Sequence, residues 1–265
     1  MELVFSIETI IMLAGIAFMA GFIDAIAGGG GLITIPALLL AQMPPVLALA
    51  TNKFQASFGG FAAATTMVRK GKANLSDMKV SIVMCFVGSV VGTVAVLISP
   101  PQFLTVIIPC VIAIICVYFL LAPAQSSAGQ KPRVSSSTWH FFCVPGLGFY
   151  DGYLGPGAGM FYTLCQVTLQ GKNLLMATGG AKVLNFTSNI ASLIVFIFSG
   201  KVVWIVGGAM AVGQIFGGYL GAHTAIKGGH RVIRPIIVII CLAMLGQYVV
   251  ENWAVMLEWF AAVLQ

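Results

Sequence analysis

Long apolar segments alternate with short polar ones along the whole chain. Charge-free runs such as 80–98 and 103–122 are long enough, at about 1.5 Å per residue, to cross a hydrocarbon core of roughly 30 Å. They indicate membrane-spanning helices and not barrel strands. The pattern therefore predicts an all-α polytopic membrane protein with helical segments over residues 8–27, 31–42, 46–68, 79–98, 103–122, 139–154, 158–170, 174–198, 203–225 and 233–250.

The second segment of each group of five is short. Twelve helical residues over 31–42 reach only about 18 Å, but four extended residues over Gly28–Gly31 would add about 13 Å. Together they could just cross the bilayer. Extended backbone at that depth must face protein or a watery cavity, because lipid offers no hydrogen-bond partners. These glycines are therefore predicted to point inward, at a helix break near the midplane.

The two groups of five segments echo one another. Gly21–Asp24 returns as Gly148–Asp151, an offset of 127 residues (151 − 24), and Lys53 returns as Lys182 at an offset of 129. Two copies, each with one Asp and one Lys in otherwise uncharged segments, are expected of a secondary transporter. The predicted organisation is a transmembrane repeat over 1–122, a linker over 123–138, a second repeat over 139–250 and an interfacial C-terminal helix over 251–265.

Composition excludes several classes of protein. The chain is 59% hydrophobic and 8% charged, with a mean hydropathy of +1.03, whereas a soluble globule has about a quarter of its residues charged. The net charge of +6 comes from basic residues scattered between spans, which the positive-inside tendency explains without nucleic acid. The N-terminus carries Glu2 and Glu8 and lacks the basic region of a cleavable signal peptide, so we expect the first segment to stay in the membrane.

Loop charges favour one of two topologies. Five crossings per repeat invert the second copy, whereas four crossings, with the short segment re-entrant, leave the copies parallel. Five crossings with the N-terminus outside leave only Lys201 outside, but four crossings leave four loop cations there. We therefore favour the inverted repeat. It places the following residues in the cytoplasm: Arg69, Lys70, Lys72, Lys79, Lys131, Arg133, Lys172, Lys227, Arg231 and Arg234.

Four ionisable residues lie inside the spans. Asp24 and Asp151 end the first helix of each half, and Lys53 and Lys182 lie about two turns into the third. Such residues are costly in a membrane unless they are paired or wetted. One interpretation is two buried salt bridges that hold helices together. The other is a transport pathway, in which the lysines bind an anion and an aspartate takes up a proton.

Glycines and amides extend the candidate site. Free amides at the start of a helix, with the positive end of its dipole, suit an anion, and a Gly-rich break precedes a helix in each half. Close backbone packing and interhelical hydrogen bonding are the plain alternatives. The predicted substrate-binding residues are Gly28, Gly29, Gly30, Gly31, Asn52, Lys53, Gln55, Gly155, Gly157, Lys182, Asn185 and Asn189.

Other motifs are interpreted as scaffold. The steps Gly88-x-x-x-Gly92 and Gly213-x-x-x-Gly217 let helices approach closely. The six cysteines lack ligand spacing and are interpreted as small core residues. Neither a nucleophile–base motif nor a metal-ligand motif occurs, so we predict no enzyme, no cofactor and no metal.

The segments that carry the repeat also resemble a known family. Gly21–Pro36, Ala48–Ala56 and Phe149–Gly152 are similar to the sulfite exporter TauE/SafE family. The resemblance implies a bacterial inner-membrane transporter with sulfur-containing anions such as sulfite or sulfoacetate as substrates. The second copy departs from the glycine run at Pro156 and Ala158, so the two half-sites are expected to differ.

The sequence thus predicts a carrier that moves a small anion by alternating access, with proton coupling. Two alternatives stay open: a carrier of an uncharged or cationic solute, and an anion-selective channel. The expected partners are the anionic substrate and membrane lipid, with a homo-oligomer left open. Substrate identity, direction of transport and coupling ion are not fixed by the sequence.

Overall fold

The computed structural model describes residues 5–121 and 131–226, together with the single positions 246, 248, 250 and 253. Within these residues the chain is all-helical, as predicted. The elements in chain order are α1 (Ile7–Ala27), α2 (Gly31–Leu40), α3 (Pro45–Arg69), α4 (Leu75–Leu97), α5 (Pro101–Leu121), α6 (Ser136–Thr138), a π-helical turn (Trp139–Cys143), α7 (Val144–Tyr153), α8 (Ala158–Thr168), α9 (Leu174–Phe198) and α10 (Trp204–Ile226).

Five of these helices are long and apolar enough to cross a membrane: α1, α4, α5, α9 and α10. The predicted helix over 139–154 begins earlier, at Ser136, and contains the π-helical turn. Helix α6, that turn and α7 therefore follow one another without a break. The predicted segments 233–250 and 251–265 and most of the linker over 123–138 lie outside the described residues.

The surface is rich in large apolar side chains, and the ionic groups lie inside a largely apolar interior. Large apolar side chains such as Ile98, Phe198 and Ile205 are exposed on the surface, while the ionic side chains of Lys53 and Lys182 are buried. This distribution is expected where lipid surrounds the protein. The cysteines follow the prediction only in part, because Cys85 is buried but Cys110 is exposed.

The first Gly-rich break is a tight reversal and not the extended connection that the sequence suggested. Gly28 and Gly29 have φ of 81° and 101°, a left-handed region open to glycine. The Gly30 amide then donates to Asp24 Oδ1 at 3.0 Å, and a Cβ on Gly30 would lie 3.0 Å from the Ala20 carbonyl oxygen. The chain therefore folds back along the end of α1.

Glycines bring α1 and α10 into backbone contact. Gly213 lies against the carbonyl of Ala14, and Gly217 lies against the carbonyl of Phe18. A Cβ on either glycine would be only 2.2 or 2.1 Å from that oxygen. The packing interpretation of these glycines is confirmed. Because the residue numbers rise together on both helices, α1 and α10 run parallel.

The pair formed by α4 and α7 repeats this arrangement. Gly88 lies against the Pro145 carbonyl, Gly92 against the Phe149 carbonyl, and Gly152 of α7 against Ser89 of α4. Residue numbers again rise together, so these helices are also parallel. Thus the first helix of each half packs on the fourth helix of the other half.

The third helices, α3 and α9, meet at the centre and run antiparallel. Lys53 contacts Asn189, whereas Gly60 lies against Phe186, so residue numbers rise on one helix as they fall on the other. Helix α3 runs parallel to α10, since Thr51 accepts from the Val203 amide and the later Gly59 lies against Gln214.

Helix α9 runs parallel to α4. Cys85 of α4 contacts the carbonyl of Leu184, and Ser89, one turn on, contacts that of Ser188. Helices α1, α3 and α10 therefore point one way, and α4, α7 and α9 point the other.

Candidate functional site

Two buried ion pairs cross between the halves at the centre of the molecule. Lys53 Nζ lies 2.5 Å from Asp151 Oδ1, and Lys182 Nζ lies 3.0 Å from Asp24 Oδ2. Each pair joins the lysine of one half to the aspartate of the other. An unpaired charge in this environment would be strongly destabilising, so the pairing explains how four ionic groups are accommodated.

The Asp151 carboxylate is saturated with donors. Besides Lys53, it accepts from Asn185 Nδ2 at 2.9 Å and from the Ser188 hydroxyl. Lys53 also donates to Asn189 Oδ1 at 3.1 Å. Asp151 is 1% exposed. These three donors compensate the carboxylate for the hydration that it loses on burial.

The Asp24 carboxylate accepts from fewer donors than the Asp151 carboxylate does. Its Oδ2 accepts from Lys182 and its Oδ1 from the Gly30 amide, while Lys182 also donates to the Asp24 backbone carbonyl. The Asp24 side chain is 20% exposed. At the repeat offset of 129, Asn185 and Ser188 correspond to Ala56 and Gly59, so this carboxylate lacks the two side-chain donors that Asp151 has.

The two Gly-rich breaks face each other beside these pairs. A Cβ on Gly28 would lie 2.7 Å from the backbone of Gly159, and Gly31 lies near Pro156 and Asn52. The amides of Gly31 and Gly159 open α2 and α8, where a helix has no internal acceptor for its first N–H groups. Within the described residues neither amide donates to a carbonyl, so both are available to a ligand.

A cavity of about 30 Å³ lies between these elements. Eleven predicted residues line it: Asp24, Gly29, Gly30, Gly31, Asn52, Lys53, Asp151, Gly155, Gly157, Asn185 and Asn189. Three predicted residues do not. Gly28 packs under Gly159, Gln55 donates to Asn52 Oδ1 at 2.9 Å, and Lys182 lies behind Asp24, to which it is bonded.

This space is small. About 10–15 Å³ measured in this way holds one water molecule, so the cavity has room for roughly two. An oxyanion with four heavy atoms, such as sulfite, would require the surrounding helices to move apart. The site in this structure is therefore narrower than the proposed substrate.

Sequence reasoning missed some residues at the centre. Gln214 lines the cavity from α10, and its signal was a single amide within a run of apolar residues and glycines. A further set of hydroxyls runs along α4, where Ser89 bonds Ser192 and Thr93 bonds Ser192. Small polar residues four apart on an apolar helix were the available signal for this interface.

Comparisons with known proteins agree with this architecture. The family profile described as Sulfite exporter TauE/SafE matches residues 13–248. The chain is 44% identical over 237 residues to the probable membrane transporter protein YfcA of Escherichia coli K12, covering 89% of this chain and 88% of that protein.

Two further relatives have similar names. A probable membrane transporter protein of Haemophilus influenzae is 42% identical over 246 residues, covering 93% of this chain and 96% of that protein. The probable membrane transporter protein ORF9 of Sinorhizobium sp is 42% identical over 228 residues, covering 86% and 87% respectively. No solved structure matches.

Proposed function

Because this chain belongs to the sulfite exporter TauE/SafE family, whose members are membrane transporters and not enzymes, we propose that it exports a small sulfite-like or organosulfur anion. It works by alternating access, with proton coupling, in a bacterial inner membrane. The observation that carries the proposal is the pair of reciprocal lysine–aspartate contacts beside one small cavity.

The helix directions support an inverted repeat. Helices α1 and α3 point the same way, so α2 returns the chain to the side where α1 began, as the five-crossing topology requires. The equivalent helices α7 and α9 point the opposite way. Reciprocal packing of α1 on α10 and of α4 on α7 fits a pseudo-two-fold axis in the membrane plane, the arrangement that many carriers use for alternating access.

The charges around the cavity support a proton-coupled anion. Two lysines and two aspartates cancel, so an anion that entered alone would leave one uncompensated negative charge in a low-dielectric site. A proton on Asp24 would remove that charge and would leave the positive charge of Lys182, just behind Asp24, to compensate the anion. The N–H groups of Gly31 and Gly159, which donate to no described carbonyl, would add neutral donors at two helix starts.

The narrow cavity supports a carrier over a channel. An open channel requires a continuous wide pathway, whereas the described helices leave space for about two water molecules at the site. A carrier can narrow and widen such a site when its halves rock about it. Saturable flux and countertransport would distinguish the two mechanisms.

A carrier of an uncharged solute is the second candidate, and one observation favours it. Both lysines already have an aspartate partner, so the site holds no free cation within the described residues that line it. In that mechanism the ion pairs would be structural throughout the cycle, and the amides of Asn52, Asn185 and Asn189 would contact the solute.

Lysine substitutions distinguish these candidates. In liposomes loaded with sulfite, Lys182→Ala should weaken binding by about 10- to 100-fold, the range expected for loss of a hydrogen bond to a charged group. Lys53→Ala should act in the same direction, while Lys201→Ala, in an exposed turn, should leave sulfite binding unchanged. If both buried lysines tolerate Ala with normal sulfite binding and a lower thermal midpoint, the ion pairs are structural and the anion proposal is wrong.

A further inference from the structure

The side chain of Gln214 is held between two glycines at the edge of the cavity. It projects from α10 and is 3% exposed. A Cβ on Gly21 of α1 would lie 2.0 Å from Gln214 Oε1, and a Cβ on Gly59 of α3 would lie 3.1 Å from the same atom. Three helices therefore meet at this amide, and the absence of side chains at Gly21 and Gly59 makes room for it.

The side-chain oxygen of Gln214 has no hydrogen-bond partner among the described residues. Gln214 Oε1 is buried, and no described donor lies within hydrogen-bond distance of it. A buried polar group without a partner is destabilising compared with an apolar side chain of similar length. Packing alone therefore does not account for glutamine at this position.

The position of Gln214 relates it to the charged groups. Gly21 lies three residues before Asp24 on α1, and Gly59 lies six residues after Lys53 on α3. Because α1 and α3 are parallel, the amide lies at a level between Lys53 and Asp24. Gln214, Asp24 and Lys53 all line the same cavity, so an anion bound there would lie beside Gln214.

We propose that Gln214 determines substrate specificity, by accepting a hydrogen bond from an O–H or N–H group on the transported anion. The inference rests on the proposed function and narrows its substrate class to small anions that carry such a donor. The unpaired atom is an acceptor, and the donors near Asp24, the Gly30 amide and Lys182, are bonded to that carboxylate, so an O–H or N–H group on the ligand would supply the donor that Gln214 Oε1 lacks. Hydrogen sulfite and hydroxyalkyl sulfonates fit this chemistry, whereas purely alkyl sulfonates do not.

A matched pair of ligands tests the inference on the full-length protein. The anions 2-hydroxyethanesulfonate and 1-propanesulfonate have the same number of heavy atoms and differ by a hydroxyl in place of a methyl group. We expect purified wild-type protein to bind the hydroxylated anion about tenfold more tightly, the ratio expected for one hydrogen bond to a buried acceptor. Equal affinities in the wild type would overturn the inference without any variant.

Substitution of the glutamine gives a second, independent measurement. Gln214→Met should bind the two sulfonates with about equal affinity. Its thermal midpoint should stay the same or rise, because an unpaired polar group has been removed. Gln166→Met is the control, since Gln166 is also fully buried but does not line the cavity, and its preference should match the wild type. A preference that persists in Gln214→Met, or in Gln214→Leu if the Met variant does not fold, contradicts the inference.

Sulfite binding distinguishes a failure of the Gln214 inference from a failure of the anion proposal. If sulfite binds in a manner that depends on Lys182 but the two sulfonates bind equally, only the role of Gln214 is wrong. If sulfite and both sulfonates all fail to bind, the anion proposal fails, and the specificity inference fails with it.

Discussion

Asp24 and Asp151 occupy matching positions in the two halves but have different surroundings. Asp151 accepts from Lys53, Asn185 and Ser188, whereas Asp24 accepts from one lysine and one backbone amide. Asp24 therefore has fewer donors to give up, and its side chain is 20% exposed, which suits the proposed exchange of a proton with the pathway. The structure thus provides a physical reason, beyond the altered glycines, for the two half-sites to differ.

Aspartate substitutions should reflect this difference. Asp24→Asn should abolish pH-driven transport but preserve substrate exchange, because the amide cannot cycle a proton yet can still fill the space. Asp151→Asn should reduce both activities and lower expression, since breaking a buried pair costs about 3–5 kcal/mol. Both are measured in liposomes with an imposed proton gradient. Equal sensitivity of the two positions would contradict the assignment, and no effect from either would end the proton-coupling proposal.

At this scale the sequence identified the charged residues but not their partners. An ionisable residue in an apolar run is conspicuous, and so Asp24, Lys53, Asp151 and Lys182 could all be found. The pairing of Lys53 with Asp151 and of Lys182 with Asp24 joins residues 98 and 158 positions apart, which no local pattern encodes. Gln214 was missed because its importance comes from two glycines on other helices.

At the scale of elements, glycine controls how closely helices pack. A Cβ added to Gly217 would lie 2.1 Å from the carbonyl oxygen of Phe18. A Cβ added to Gly208, on the same helix, would have no atom of another described helix within 4 Å. The two glycines are therefore a matched pair for separating helix propensity from helix packing.

Alanine at these two positions should change stability in opposite directions. Gly217→Ala should destabilise the protein by about 1–3 kcal/mol through overpacking against the α1 backbone. Gly208→Ala should be neutral or stabilising by up to about 1 kcal/mol, because alanine favours a helix. Thermal midpoints in detergent measure both. A stable Gly217→Ala variant would mean that α1 and α10 separate easily.

Helix boundaries were largely predictable from the sequence, because apolar runs end at polar or Gly-rich segments. The predicted 174–198 and the observed Leu174–Phe198 agree to the residue. The direction of the chain at the first break was not predictable, since four glycines allow either an extended path or a reversal. The contact between the Gly30 amide and Asp24 decides it, and that contact depends on tertiary structure.

At the scale of the whole molecule, the proposed inverted topology assigns Lys131 and Lys201 to opposite sides of the membrane. Lys131 should face the cytoplasm and Lys201 the outside, because they lie at opposite ends of the described helices. Single cysteines at these positions, tested with a membrane-impermeant maleimide on intact cells, should label at 201 and not at 131. Labelling of neither position from outside would favour the parallel four-crossing arrangement, which places both residues in the cytoplasm.

The packing of α1 on α10 has a consequence for how the protein is made. Gly213 follows its contact Ala14 by 199 residues (213 − 14). At about 5–20 residues per second, the first helix emerges roughly 10–40 s before its partner. During that interval it waits in lipid with its contact surface uncovered and Asp24 without Lys182. Biogenesis therefore depends on an incomplete first half surviving in the membrane until the second half is synthesised.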